Sequence, residues 1–207
     1  MTPVQVMRGL KPQYNKRLIY TRLGYDRERT SLSPELEQEV ERLLTLTENT
    51  LNITAAYRMV EIKRIDSPAI VLEDDTVLSG VRLAELLDGC DQALLMLAAG
   101  GSRIMDLIHR LQEENRMSEA VVVDAAASEI TDSALDIVMA HVTTLLRSRG
   151  RALTSMRFSP GYGDFEITQQ RDFYRLLNGE AFGITLNEAC LLIPEKSVFA
   201  IAGIGKQ

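Results

Sequence analysis

The feature that most constrains this chain is the run from Met117 to Arg149. Within it, Val121, Ala125, Ile130, Ala134, Ile137, Val138, Val142, Leu145 and Leu146 recur at helical spacing. An apolar face of that length has to be buried against other elements, so the rest of the chain must supply a covering layer. The segment VVVDAAAS inside it leaves room for a kink, and Gly150 is placed to end the helix.

The preceding residues alternate between helix and strand signals. Ser33-Pro34-Glu35 joins a cap residue, a proline at the first helical position and a first-turn acid, and Leu36, Val40, Leu43 and Leu44 follow at helical spacing. A helix from Pro34 to about Leu51 is predicted. Ala55 to Ile65, Ala69 to Leu72 and Thr76 to Leu78 read as strands, the last two joined by the acidic turn Glu73-Asp74-Asp75. Ser79 is placed to cap a short helix over Val81 to Leu87, and Ala93 to Ala98 reads as a buried strand. Gly100-Gly101-Ser102 opens a helix running to about Asn115.

Beyond the long helix, Ala152 to Met156 is predicted as a strand and Thr168 as the cap of a helix ending at Asn178-Gly179. Phe182 to Ile193 and Ser197 to Ile204 are predicted as two strands across Pro194-Glu195-Lys196. Residues 1 to 30 show little periodicity and read as an arm packed on another surface or a partly ordered tail, leaving 31 to 207 as one domain. Strands do not alternate strictly with helices, so the expected class is α+β: a mixed, largely antiparallel twisted sheet with flanking helices.

Composition narrows the function. Lys and Arg number 23 against 29 Asp and Glu, a net charge of -6 that would repel nucleic acid rather than recruit it. The two cysteines, Cys90 and Cys190, have no second thiol near them, which points to a reducing, cytoplasmic compartment. No apolar run approaches the roughly 20 residues of a membrane span, and Met1 to Lys16 is too interrupted by polar residues for a secretory signal.

Most familiar chemistry lacks its apparatus. Gly100-Gly101 has neither G-x-G-x-x-G spacing nor a P-loop lysine and reads as a tight turn. His109 and His141 fall on different predicted helices without a ligand-spaced partner, so no metal site is expected. No G-x-S-x-G occurs. The segment RFSPGYGDF stands apart: Arg157 is a planar donor suited to a carboxylate, and the proline-glycine turn exposes backbone groups beside Tyr162. Such a loop can hold an amino acid-like ligand; the plainer alternative is a surface turn with Tyr162 packed back on the sheet.

Arg157, Ser159, Pro160, Gly161 and Tyr162 resemble the arginine, small residue, proline, glycine and tyrosine of the activation domain of cobalamin-dependent methionine synthase. Further on, Gly183, Leu186, Glu188, Pro194 and Ser197 resemble that family's second run in unbroken register. The resemblance is specific from about Asp124 to Ile204, looser over 60 to 123, and absent from the first 30 residues. It implies a C-shaped α+β domain that binds S-adenosylmethionine and presents its methyl group to a cobalamin held by a corrinoid methyltransferase partner. On that basis Arg157, Ser159, Gly161, Tyr162 and Glu188 are expected at the ligand. A helical acid joins them, which register places at Asp132, with Glu129 one turn away as the other candidate. No catalytic side chain is implied, because the chemistry resides in the two cofactors.

The sequence departs from the family in three places. It lacks the D-x-H-x-x-G signature of the cobalamin module. Gly163-Asp164-Phe165 replaces a proline- and cysteine-containing run. The given sequence stops at Gln207, before a later tyrosine that reaches the ligand in the long enzymes. The leading expectation is an activation module working in trans, and the alternative is a non-catalytic binding or scaffold protein that kept the fold and lost the ligand.

Overall fold

The structure, a computed structural model, describes residues 2–25 and 33–206. The boundary expected near residue 30 lies outside the described residues. Among the described residues nine strands and six α-helices follow one another, beginning with β1 (Gln5–Leu10), α1 (Lys16–Arg22), α2 (Pro34–Thr50), β2 (Ile53–Asp66), β3 (Ala69–Leu72), β4 (Val77–Ser79), α3 (Val81–Leu86) and β5 (Cys90–Ala99). The chain continues through α4 (Arg103–Glu113), α5 (Met117–Arg147), β6 (Arg151–Leu153), α6 (Gln170–Leu177), β7 (Thr185–Leu186), β8 (Leu192–Ile193) and β9 (Ser197–Lys206).

Seven strands form one antiparallel sheet in the order β4-β3-β2-β5-β9-β6, with β1 also paired to β2. The 14 residues of β2 serve two neighbourhoods: Ile53 to Tyr57 pair with β1, and Ile62 to Asp66 pair with β3. That division curls the sheet, as a long strand shared between two partners must.

Both faces of the sheet are covered, which is why β5 reads as the unbroken apolar run ALLMLAA rather than an alternation. Leu94, Met96 and Ala98 of β5, with Ala200 and Ala202 of β9, pack on α5, α1 and α2. Leu95, Leu97, Phe199 and Ile201 point the other way, onto α3, α6 and Phe165. A third cluster joins Leu43 of α2, Ile104 and Ile108 of α4, and Val123 and Ala127 of α5. The 31-residue α5 is therefore the central strut, touched by the sheet and three helices. It runs unbroken through VVVDAAAS. Val121 and Leu145, expected on its buried face, are exposed at 54% and 43%: they lie on the side turned away from the core, while Ala120 and Leu146, nearer the helix ends, are buried at 2% each.

Four local expectations change. Ser79 does not cap α3; the Asp164 carboxylate does, accepting from the N–H groups of Val81 (2.5 Å) and Arg82 (3.4 Å). The Ser79 backbone is instead held from both sides by the Gln169 side-chain amide. Thr168 does not cap α6, which is entered through a 3-10 turn over Ile167–Gln169. The strand after Gly150 is three residues, not five, because Thr154 turns its hydroxyl to the Met156 carbonyl. Phe182 to Ile193 is not one strand: positive φ at Gly183 and Cys190 and the Asn187 turn break it into the short hairpin β7-β8. Residues without legible periodicity at the start form β1 and α1, and Ile19 of α1 is buried in the core.

Gly100 ends β5 at a crowded junction. Its N–H donates to the Lys196 carbonyl (2.7 Å), and its carbonyl accepts from Asn52 N–H (3.0 Å). A Cβ there would lie 2.8 Å from Leu51 Cδ2, 2.9 Å from Thr131 Oγ1 and 3.2 Å from the Lys196 carbonyl. No helix among the described residues is long and apolar enough to cross a membrane. Gly100→Ala is expected to cost about 1–3 kcal/mol through overpacking, read as a fall in thermal midpoint by differential scanning calorimetry; an unchanged midpoint would contradict this packing.

Candidate functional site

Along the otherwise Ala-, Val- and Ile-rich α5, polar residues recur on one side: Asp124, Ser128, Thr131, Asp132 and Asp136. Spacings of three and four stack them, and from Asp124 to Asp136 the stripe is about 18 Å long at 1.5 Å per residue. Facing it are the loop after β6 and the start of β9. The space between is a cleft of about 470 Å3 lined by Ser128, Thr131 and Asp132 from α5, Arg157 to Ser159 and Tyr162 from the loop, Glu195 to Val198, and Arg22 from α1.

At the C-terminal end of the stripe sits Arg157. Its Nη2 donates to Asp132 Oδ2 (2.8 Å) and to the Asp132 carbonyl (3.3 Å), and its Nη1 donates to Asp136. The arginine side chain is 20% exposed while Asp132 and Asp136 are 40% and 64% exposed, so two i, i+4 acids anchor it to the helix. Burial works against the guanidinium charge, and the two carboxylates outweigh it. The group stays charged and fixed in orientation.

The other end is built by Lys196. Its side chain is 8% exposed, with Nζ 2.7 Å from Asp124 Oδ1 and 3.1 Å from Ser128 Oγ. Between the two poles, Thr131 Oγ1 and Ser197 Oγ are buried without a hydrogen-bond partner among the described residues. Thr131 is 2% exposed. Buried hydroxyls in native structures are nearly always satisfied, so two orphans lining one cleft are a property of the site.

The loop is rigidly placed. Phe158 pairs through both backbone groups with Ile201 of β9 (2.9 and 2.8 Å), and its ring stacks on Phe165 at 6.0 Å. Gly161, at φ +98°, gives its N–H to the Phe165 carbonyl (2.7 Å), and Tyr162 N–H turns back to Ser159 (3.3 Å). Tyr162 is 64% exposed at the cleft edge. The substituted run Gly163-Asp164-Phe165 thus has a structural job, with Asp164 capping α3 and Phe165 buried in the core.

Glu129 points from α5 toward α1, where Arg22 Nε lies 3.4 Å from its Oε2. Burial pushes its carboxyl above the ordinary range; Arg22 offsets this in part, and Asp132 and Asp136 add repulsion.

Of the residues expected at the ligand, the structure brings Arg157, Ser159, Tyr162 and Asp132 to one cleft. Gly161 shapes the turn behind it, with its N–H already engaged. Glu188 is not there: it sits exposed in the β7-β8 turn. From the second run only Ser197 reaches the cleft. Sequence reasoning missed Ser128, Thr131, Lys196 and Arg22. The four-residue polar spacing within an apolar helix could have shown the first two; nothing in the featureless first 30 residues marked Arg22. Of the histidines, His109 is exposed and His141 packs on Tyr57 (5.9 Å), and among the described residues no group of three metal-ligating side chains converges.

A curled antiparallel sheet carrying a long helix with a cleft along it defines the class: the chain has the fold of the methionine synthase reactivation domain. Among solved structures similar to it is the MetH reactivation domain bound to AdoHcy, at a TM-score of 0.65 and 16% identity, covering 97% of this chain and 78% of that one. No family model and no curated protein matches the sequence.

Because the Glu129 carboxyl titrates above its ordinary 4.5, the folded state holds its proton more tightly than the unfolded state. Its contribution to stability is therefore full below that value and is lost as pH rises through the folded pKa. Glu129→Gln should be more stable than the parent at pH 8 in urea unfolding, with the gap closing toward pH 4.5. A gap that widens on acidification would contradict the assignment.

Proposed function

We propose that the cleft along α5 binds S-adenosylmethionine, and that the chain serves in the cytoplasm as a reactivation module for a corrinoid-dependent methyltransferase such as methionine synthase. The observation that carries this reading is the meeting of Arg157 and Asp132, the arginine and helical acid the family resemblance calls for, across one cleft in a chain of this fold.

The residues present fit such a ligand. An amino acid end needs a cation for its carboxylate and an acid for its ammonium, and Arg157 and Asp132 supply both. The exposed ring of Tyr162 offers a π-face for a sulfonium. The ligand supplies the transferable methyl group, and cobalamin belongs to the partner. What this chain contributes is binding and orientation, with Arg157 held by α5 and the loop held by β9. Glu188 has no part in this reading.

The alternative, a binding or scaffold protein that has lost the ligand, is favoured by one fact: Arg157 already spends donors on Asp132 and Asp136. Calorimetry separates the two. S-adenosylmethionine and S-adenosylhomocysteine are expected to bind with micromolar affinity, weakened about 10- to 100-fold in Arg157→Ala, as for loss of a charged hydrogen-bonding group. No heat at millimolar ligand would favour the scaffold. Faster methylcobalamin recovery on a corrinoid partner in the presence of reductant would extend binding to reactivation.

A further inference from the structure

A second concavity, independent of the ligand cleft, lies at the N-terminal end of α5. There α1, the N-terminal half of α2 and the start of α5 enclose a groove of about 430 Å3. We propose that this groove is a docking site for a partner chain presenting an amphipathic helix whose apolar stripe is flanked by lysine or arginine.

The groove has the form such a helix needs. Leu36 and Val40 stand four residues apart on α2, and Met117 and Val121 stand four apart on α5, so each helix contributes an apolar ridge of one turn. Tyr20 of α1 and Leu23 just beyond it complete the lining. Val40 is 5% exposed and lies deep, whereas Leu36, Met117 and Val121 stand out at 48%, 56% and 54%. Two ridges with a furrow between them accept the side chains of a third helix at i, i+3 and i+4. Single exposed apolar side chains are ordinary on a protein surface; three gathered around one concavity mark an interaction site.

Charge selects the occupant. The cations bordering the groove are already engaged: Arg42 with Glu39 and Glu119, Arg116 with Glu114 and Glu119, and Lys16 with Glu41. Helices α1 and α2 run antiparallel, with Tyr14 at Glu48 and Lys16 at Glu41, so Arg17 falls toward the end away from Leu36. Burial first, then the Glu41 and Glu37 carboxylates, hold the Tyr20 phenol above its ordinary value, which places Glu37 beside the groove. Glu35 and Glu37, in the first turn of α2, make no ion pair among the described residues. The groove thus has an apolar bed and a rim with two uncompensated negative charges. A second copy of this chain would bring the same acids to the contact, and an anionic membrane surface would be repelled by them. A helix with cations beside its apolar stripe satisfies both bed and rim. Val121 precedes Asp132 by eleven residues, about 16 Å along the axis, so the docked helix and the ligand cleft occupy different stations of α5.

The test is fluorescence anisotropy of the full chain with two labelled synthetic helices that share leucine at i, i+3, i+4 and i+7. One carries lysine at the flanking positions and the other glutamate. The lysine helix is expected to bind at least about 10-fold more tightly than the glutamate helix. Met117→Gln combined with Val121→Gln, uncharged and compatible with a helix, should weaken it about 10-fold or more. The thermal midpoint of that variant should be unchanged, because both side chains are more than half exposed. Glu35→Gln combined with Glu37→Gln should shrink the preference for lysine about 3- to 10-fold. No binding of the lysine helix, equal binding of the two helices, or binding unaffected by Met117→Gln with Val121→Gln would overturn the proposal. So would a dimer in sedimentation velocity that this variant dissociates, which assigns the groove to a second copy. Binding to phosphatidylglycerol vesicles that the variant abolishes would likewise overturn it and assign the groove to a membrane surface.

Discussion

The site depends on a missing side chain. At Gly100 the end of β5, the end of α2, the start of β9 and the middle of α5 come within contact of one backbone unit. Its N–H and carbonyl are bonded to Lys196 and Asn52, and its α-carbon is walled by Leu51 and Thr131. Close packing of this kind is stiff, so it fixes the relative positions of β9 and α5 at this junction. The consequence is functional as well as structural: Lys196 and Ser197 are set opposite Ser128 and Thr131 because the junction beneath them admits no Cβ.

The second fixed point is the pairing of Phe158 with Ile201, which attaches the RFSPGY loop to β9. Arg157 then reaches across to α5 and meets Asp132 and Asp136. Loop, strand and helix close a frame in which α5 carries the paired acids Asp124, Asp132 and Asp136, and the cations Arg157 and Lys196 come from the loop and the residue leading into β9. Such preorganisation reduces the ordering cost of binding, and it leaves Tyr162 at the edge as the large exposed side chain of the loop.

Much of this was legible in the residues. The capped start of α2, the apolar β5 and the helical period of α5 are local patterns, and local patterns specify local structure. Asp132 was reachable by helical register once Arg157 was recognised. What stayed hidden is what depends on contacts distant in sequence. Asp164 caps α3 from across the fold, displacing Ser79 from that role. Glu188 looked like a ligand contact because its run keeps register, yet it lies exposed in the β7-β8 turn. Lys196 read as a turn residue between two strands. Its burial against Asp124 arises only when β9 is laid beside α5.

A crystal structure of the chain grown with S-adenosylhomocysteine tests the central claim most directly. The account predicts ligand density along α5 with its carboxylate at Arg157. Density in another part of the molecule, or the ligand reversed in the cleft with its amino acid end at Lys196, would contradict it.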